Sequence, residues 1–193
     1  MSGPFANAAL DLHARGLVVI PTGGQDGKTP MVKGWGKWKG QRRATVEKFA
    51  SSHPDANVGV LTGLSRLTVV DCDDEKTLAD AEGRFGVTTF VTRSPRGGGH
   101  LWFRSSGEPN ANLRSAGLNI DIRGKGGLIL TPPSLRPGVG LYKVARGSWD
   151  DLATLPPVNA AALNLERVES RRYRPAFSVR LLWGIRYLQS RCA

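Results

Sequence analysis

The stretch LTVVDCDDE at residues 67–75 runs from an apolar segment straight into acids. Side chains alternate along a strand, so Asp71 and Asp73 are expected on one face and Val70 and Cys72 on the other. Two uncompensated carboxylates at one strand end repel and resist burial. A divalent cation is the usual remedy, and carboxylate oxygens suit Mg²⁺ or Mn²⁺. The plainer reading is a solvated strand end that caps the next helix. A third acid, Asp121 in NIDIRG, has similar surroundings: alternation puts Asp121 and Arg123 on one face and Ile120 and Ile122 toward a core. Three acids on neighbouring strands can hold two metals roughly 3.5–4 Å apart, the arrangement used for in-line phosphoryl displacement. Nucleotidyl transfer is therefore the leading chemistry.

The turn SPRGGGH at residues 94–100 is complementary. From Ser94 through Gly98 and Gly99 it allows close backbone approach and offers amide N–H groups to an anion, and Arg96 and His100 add charge-assisted donors. The alternative is a flexible hairpin turn with His100 packed under a sheet. Arg123 and Lys125 lie beside the third acid and can hold a triphosphate or a template phosphate, or be solvated surface. TGGQDGKT at residues 22–29 ends like a phosphate-binding loop. However, Thr22 stands where that motif needs glycine, and Pro30, Gly34 and Gly36 leave no helix to receive phosphates. Lys28 remains a candidate phosphate contact. Trp35 and Trp38, interleaved with Lys33, Lys37 and Lys39, either stack on single-stranded bases or simply pack.

The elements that must position these residues follow from periodicity. Phe5, Ala8, Ala9 and Leu12 predict a helix over 5–15, followed by a buried strand over 17–20. Six glycines, two prolines and four lysines predict a long loop over 21–40. A short helix over 45–51 and strands over 58–61 and 67–72 come next. A helix with Leu78, Ala79, Ala81 and Phe85 on its apolar face then runs up to Gly86. Strands over 89–92 and 100–104 flank the glycine turn, a strand over 119–123 is expected to pair with one over 128–131 across residues 124–127, and 142–144 adds another. Helix–strand alternation followed by hairpins predicts an α+β sandwich rather than a doubly wound sheet.

With 27 Lys and Arg against 16 Asp and Glu, the net charge is +11 and the pI near 10.4, the footprint of a nucleic-acid binder. Hydrophobic residues at 40%, with 24 glycines, are near the usual globular share of about 45–50% and exclude disorder as the main state. Two cysteines exclude a disulfide framework or a cysteine zinc site, so any metal is held by oxygen. No apolar run suits a membrane span and no secretory pattern opens the chain, so a cytoplasmic protein with no membrane partner is expected. A boundary is expected near Pro156 and Pro157, giving a catalytic domain at 1–155 and a basic tail at 156–193. After Leu165 the tail carries seven arginines, including Arg171 and Arg172, against two glutamates. Phe177, Leu181, Ile185 and Leu188 give it one helical stripe.

Taken in order, KTPMVKGW, NVGVLTG, VVDCDD, SPRGGGHLWF and DIRGKGGLILTPPS resemble the bifunctional primase-polymerase domain of plasmid and phage replication proteins, in the archaeo-eukaryotic primase superfamily. The resemblance covers about residues 17–142. It implies a two-part α/β unit whose active site lies on an RRM-like antiparallel sheet, followed by a short helical segment that begins an accessory region. It implies that Asp71, Asp73 and Asp121 bind two Mg²⁺ or Mn²⁺ ions and that His100 contacts the phosphates of the incoming nucleotide. The implied activity is DNA-dependent nucleotidyl transfer, both priming and extending. Its partners would be a single-stranded DNA template, a primer-template duplex and (deoxy)nucleoside triphosphates, with a helicase often further along the polypeptide, in the cytoplasm of a bacterial host. Some relatives carry a zinc-binding stem, for which this sequence has no ligand cluster. Two rivals remain. A replication-initiator nicking nuclease needs paired histidines, but Trp102 stands two residues after His100. A non-catalytic single-strand-binding module has no need of three convergent acids.

Overall fold

The computed structural model describes residues 3–163. Helix α1 (Pro4–Ala14) starts with proline, whose fixed φ suits the first turn, and buries Phe5, Ala9 and Leu12 along one side. Strand β1 (Val19–Gly23) and the two-residue β2 (Thr29–Pro30) follow. Helix α2 (Arg43–Ser52) packs on α1 and buries Val46. Strands β3 (Asn57–Leu61) and β4 (Leu67–Cys72) are buried along nearly their whole length. Asp74 caps helix α3 (Glu75–Phe85) by accepting the Thr77 N–H at 2.7 Å, and Leu78, Ala81 and Phe85 form its buried stripe. Strands β5 (Val91–Arg93), β6 (Gly99–Arg104), β7 (Ala111–Asn112), β8 (Ile120–Arg123), β9 (Leu128–Thr131), β10 (Leu135–Arg136), β11 (Gly140–Leu141) and β12 (Lys143–Arg146) come next, then the short α4 (Ala160–Leu163).

The strands form a six-stranded sheet in the order β12-β5-β6-β4-β8-β7, a four-stranded sheet in the order β2-β1-β3-β9, and the hairpin β10-β11. Every ladder between named strands is antiparallel, so the fold is α+β. Alternation divides the large sheet into two faces. Val70, Cys72, Leu101, Phe103, Ile120 and Ile122 pack with the α3 stripe. Leu67, Val69 and Trp102 face the other way, into a core shared with Val58, Val60 and Ile129 of the smaller sheet and with α1 and α2. Asp71, His100 and Asp121 have the parity of that second face, at the end where the two sheets part. Among the described residues no helix is long and apolar enough to cross a membrane.

Two expectations are corrected. Residues 21–40 are not a plain loop: β1 runs on to Gly23, β2 pairs with it, and Trp35–Lys37 form a 3-10 turn. Strands β8 and β9 are not a hairpin. β8 pairs with β4 and β7, whereas β9 crosses to β3 in the other sheet. The glycine-rich link between them is pulled apart because the Thr62 hydroxyl donates to the Gly124 carbonyl at 2.7 Å while the Lys125 N–H bonds the Glu108 carbonyl at 2.7 Å. Beyond the expected boundary, Pro157 bridges Arg104, and Val158 and Ala162 are buried against α3. Arg171, Arg172 and the stripe at Phe177, Leu181, Ile185 and Leu188 lie outside the described residues.

Candidate active site

Strand register brings the chemistry into one row. Across the sheet, Asn112 stands opposite Asp121, Asp121 opposite Asp71, Asp71 opposite His100, and His100 opposite Thr92. Asp71 and Asp121 are mostly buried, with side chains 19% and 14% exposed, and like charges directly opposite are unfavourable. Two arginines compensate. Arg114 spans Asp73 Oδ2 at 2.6 Å and Asp121 Oδ1 at 3.0 Å. Arg123 Nη2 is 2.7 Å from Asp121 Oδ2, while its Nε, buried and without a hydrogen bond, is 3.6 Å from Asp71 Oδ2. Asn112 Nδ2 also donates to Asp121 Oδ1, at 2.9 Å.

His100 is 2% exposed and held by a defined network. Trp102 Nε1–H can only donate, and it does so to Thr92 Oγ1 at 3.0 Å. The Thr92 hydroxyl proton is then free to serve His100 Nδ1, also at 3.0 Å. Asp71 Oδ1, which can only accept, lies 3.5 Å from Nε2 and favours the neutral imidazole proton there. Burial holds the His100 pKa below its ordinary value; Asp71 opposes this, and Lys28 and Arg123 reinforce it. Tyr142 stacks on the imidazole with centroids 5.8 Å apart, its phenol pushed up to about 12 by burial and then by Asp71. The Cys72 thiol is likewise pushed up to about 12, by burial and then by Asp71, Asp74 and Asp73, so it stays protonated and is no nucleophile.

The row opens into a cleft of about 520 Å³ between the two sheets. Five basic residues (Lys28, Arg96, Arg114, Arg123 and Arg136) line it against three carboxylates, an excess that suits a polyanionic ligand. Ser94 and His100 line it as well. Gly98 and Gly99 do not: they are buried in the packing, because a Cβ on Gly98 would strike the Cys72 carbonyl oxygen and one on Gly99 the Thr92 carbonyl oxygen. These glycines let the 94–100 turn press against the end of β4. Trp35 and Lys125 lie together in a separate groove. Sequence reasoning missed Arg114, Arg136, Asn112, Thr92 and Tyr142. Arg114 leaves no local signal, since it reaches Asp73 across 41 residues of chain.

Asp71 and Asp121 on adjacent strands, and Asp73 just beyond the end of β4, are oxygen donors of the kind a hard divalent cation takes. With Arg114 and Arg123 engaging those oxygens, no group of three or more His, Cys, Asp or Glu among the described residues is gathered to hold a metal.

Residues 9–158 match the family of the bifunctional DNA primase/polymerase N-terminal domain, Prim-Pol. The chain belongs to that family. A comparison with curated proteins gives no match. The Prim-Pol match spans the row and the cleft, and membership of the family supports DNA priming and polymerisation in general, with DNA and nucleotides as substrates.

Proposed function

We propose that this Prim-Pol domain is a DNA-dependent nucleotidyltransferase that synthesises primers and extends them in phage or plasmid replication, with two divalent cations at Asp71, Asp73 and Asp121. The observation that carries the reading is the Asp121–Asp71–His100 row opening into a cleft with excess positive charge. On this reading the six-stranded sheet is the primase-like, RRM-like platform. Bound Mg²⁺ or Mn²⁺ supplies activation of the primer 3′-hydroxyl and charge neutralisation at the leaving pyrophosphate. The chain's own residues do the rest. Asp71 and Asp121, held at one register, present their oxygens from a rigid sheet. Arg114, which bridges Asp73 and Asp121, would be available to a phosphate where a cation held those carboxylates. Arg123 Nε, a buried donor that makes no hydrogen bond among the described residues and lies 3.6 Å from Asp71 Oδ2, completes its hydrogen bonding on the ligand.

Lys28, Arg96, Arg136 and Ser94 converge on the cleft and hold the triphosphate in line, while His100 donates from Nε2 to a phosphate oxygen without bringing a charge. Catalysis is by positioning and electrostatics, with no covalent intermediate on the protein. Arg171 and Arg172 in the tail grip the single-stranded template, and a helicase acts with the domain. The test is incubation with a primed template, labelled nucleotide and Mg²⁺ or Mn²⁺. Extension supports the proposal, strand cleavage would mark a nicking nuclease, and binding with no turnover would mark a single-strand-binding module.

A further inference from the structure

A second groove, of about 470 Å³, borders the same chain segment as the cleft. Arg123 and Leu128 line the cleft, while Lys125, Gly126 and Gly127 between them line the groove. Lys125 is two residues after Arg123, which places it at most about 7 Å further along the chain. Facing Lys125 are Trp35 and Trp38 with Lys39, on the segment after β2. Trp38 is anchored: it stacks on Phe49 of α2 at 6.3 Å with the rings 7° apart. Trp35 is half-buried against Val18, Ile20 and Leu61 and has no ring partner among the described residues.

The charges complement an anion. Every charged residue lining the groove is a lysine, and Lys39 and Lys125, both exposed, make no ion pair among the described residues. By contrast Arg114 and Arg123 in the cleft are both engaged by aspartates. A tryptophan that shares a groove with two lysines making no ion pair among the described residues suits a ligand with both π-faces and phosphates.

We propose that this groove binds unpaired template DNA next to the active site, with a base stacked on Trp35 and the flanking phosphates on Lys39 and Lys125. The inference rests on the reading of the cleft as the site of nucleotide addition, since it is the template strand that continues from cleft to groove. Stacking tolerates every base, so the groove holds the template without selecting sequence.

The test is fluorescence anisotropy of a fluorescein-labelled oligothymidine with the full 193-residue chain, without nucleotide or metal. Trp35→Ala is expected to weaken binding roughly tenfold, and Trp35→Phe to retain most of it. Lys39→Gln and Lys125→Gln, at exposed positions that do not threaten the fold, should each make the slope of log affinity against log salt shallower by about 0.7. Unchanged affinity in Trp35→Ala together with an unchanged slope in Lys125→Gln would overturn the proposal. If Trp35→Ala lowers the melting temperature, the two lysine variants alone decide. A change in sedimentation with DNA affinity unaltered would assign the groove to a second copy of the chain and also overturn it. A primed-template assay on the same samples keeps the two readings apart. Nucleotide incorporation with groove-independent binding sinks the groove alone, whereas groove-dependent binding without incorporation sinks nucleotide addition and leaves a single-strand-binding surface.

Discussion

Thr92 ties the acidic row to the core. Fully buried, it takes the Trp102 indole N–H on one side and serves His100 Nδ1 on the other, which fixes the Nε2–H toward Asp71 and the cleft. Thr92→Val keeps the shape but strands the Trp102 N–H and frees the imidazole to change tautomer. A loss of about 1–3 kcal/mol is expected from the unsatisfied donor, read as a lower melting temperature. A rise in the apparent KM for nucleotide should accompany it, with single-strand affinity unchanged, and Thr92→Ser should restore both. An unaltered nucleotide KM in Thr92→Val would remove Thr92 from the site. Nothing local in the sequence marks this residue, because its two partners are set by register and by the fold of the glycine turn between them.

Among the elements, β4 and its acids were legible. The span over 67–72 matches the structure to the residue, since an apolar run that breaks into carboxylates has few other readings. The face assignment of Asp121 and Arg123 against Ile120 and Ile122 was legible for the same reason. The pairing of β8 was not, because a glycine-rich link looks like a hairpin turn whether its strands share a sheet or part between two. Gly98 shows how tightly these elements meet. Gly98→Ala must displace the end of β4, at a cost of about 1–3 kcal/mol for overpacking, and the melting temperature and primer extension should fall together.

The turn after β6 makes a separate prediction. Burial raises the Glu108 pKa, but hydrogen bonds from Thr68, its own N–H, the Ser106 N–H and Ser105 outweigh burial and hold it below the usual 4.5. A carboxylate depressed in the folded state adds stability that is complete above its unfolded pKa and lost as pH falls through the folded value. Melting curves should therefore show wild type above Glu108→Gln near neutrality, with the gap closing below about pH 4.5. A gap independent of pH would show that the charge is irrelevant there.

At the scale of the whole molecule, the described domain reaches past the Pro156–Pro157 boundary, since Val158 and Ala162 cover α3 and the Asn159 N–H bonds the Phe85 carbonyl at 2.9 Å. A chain ending after residue 163 is expected still to extend an annealed primer, with weaker single-strand binding and poor de novo priming once the tail arginines are gone. A chain ending at Leu155 also loses the buried Val158, about 2 kcal/mol or more, and should melt lower. Equal melting of the two truncations would contradict the packing role of that segment. The charge and the five motif blocks made the polymerase reading legible, whereas the pairing of Arg114 with Asp73 in the cleft depends on a contact between distant parts of the chain. The most direct test of the account is nucleotide incorporation on a primed template by wild type, Asp71→Asn and Asp121→Asn, each shown by circular dichroism to be folded. Incorporation by wild type with Mg²⁺ or Mn²⁺ and a loss of roughly a hundredfold or more in each variant is the predicted result. Incorporation within about tenfold of wild type in either variant would contradict the central place given to the acidic row.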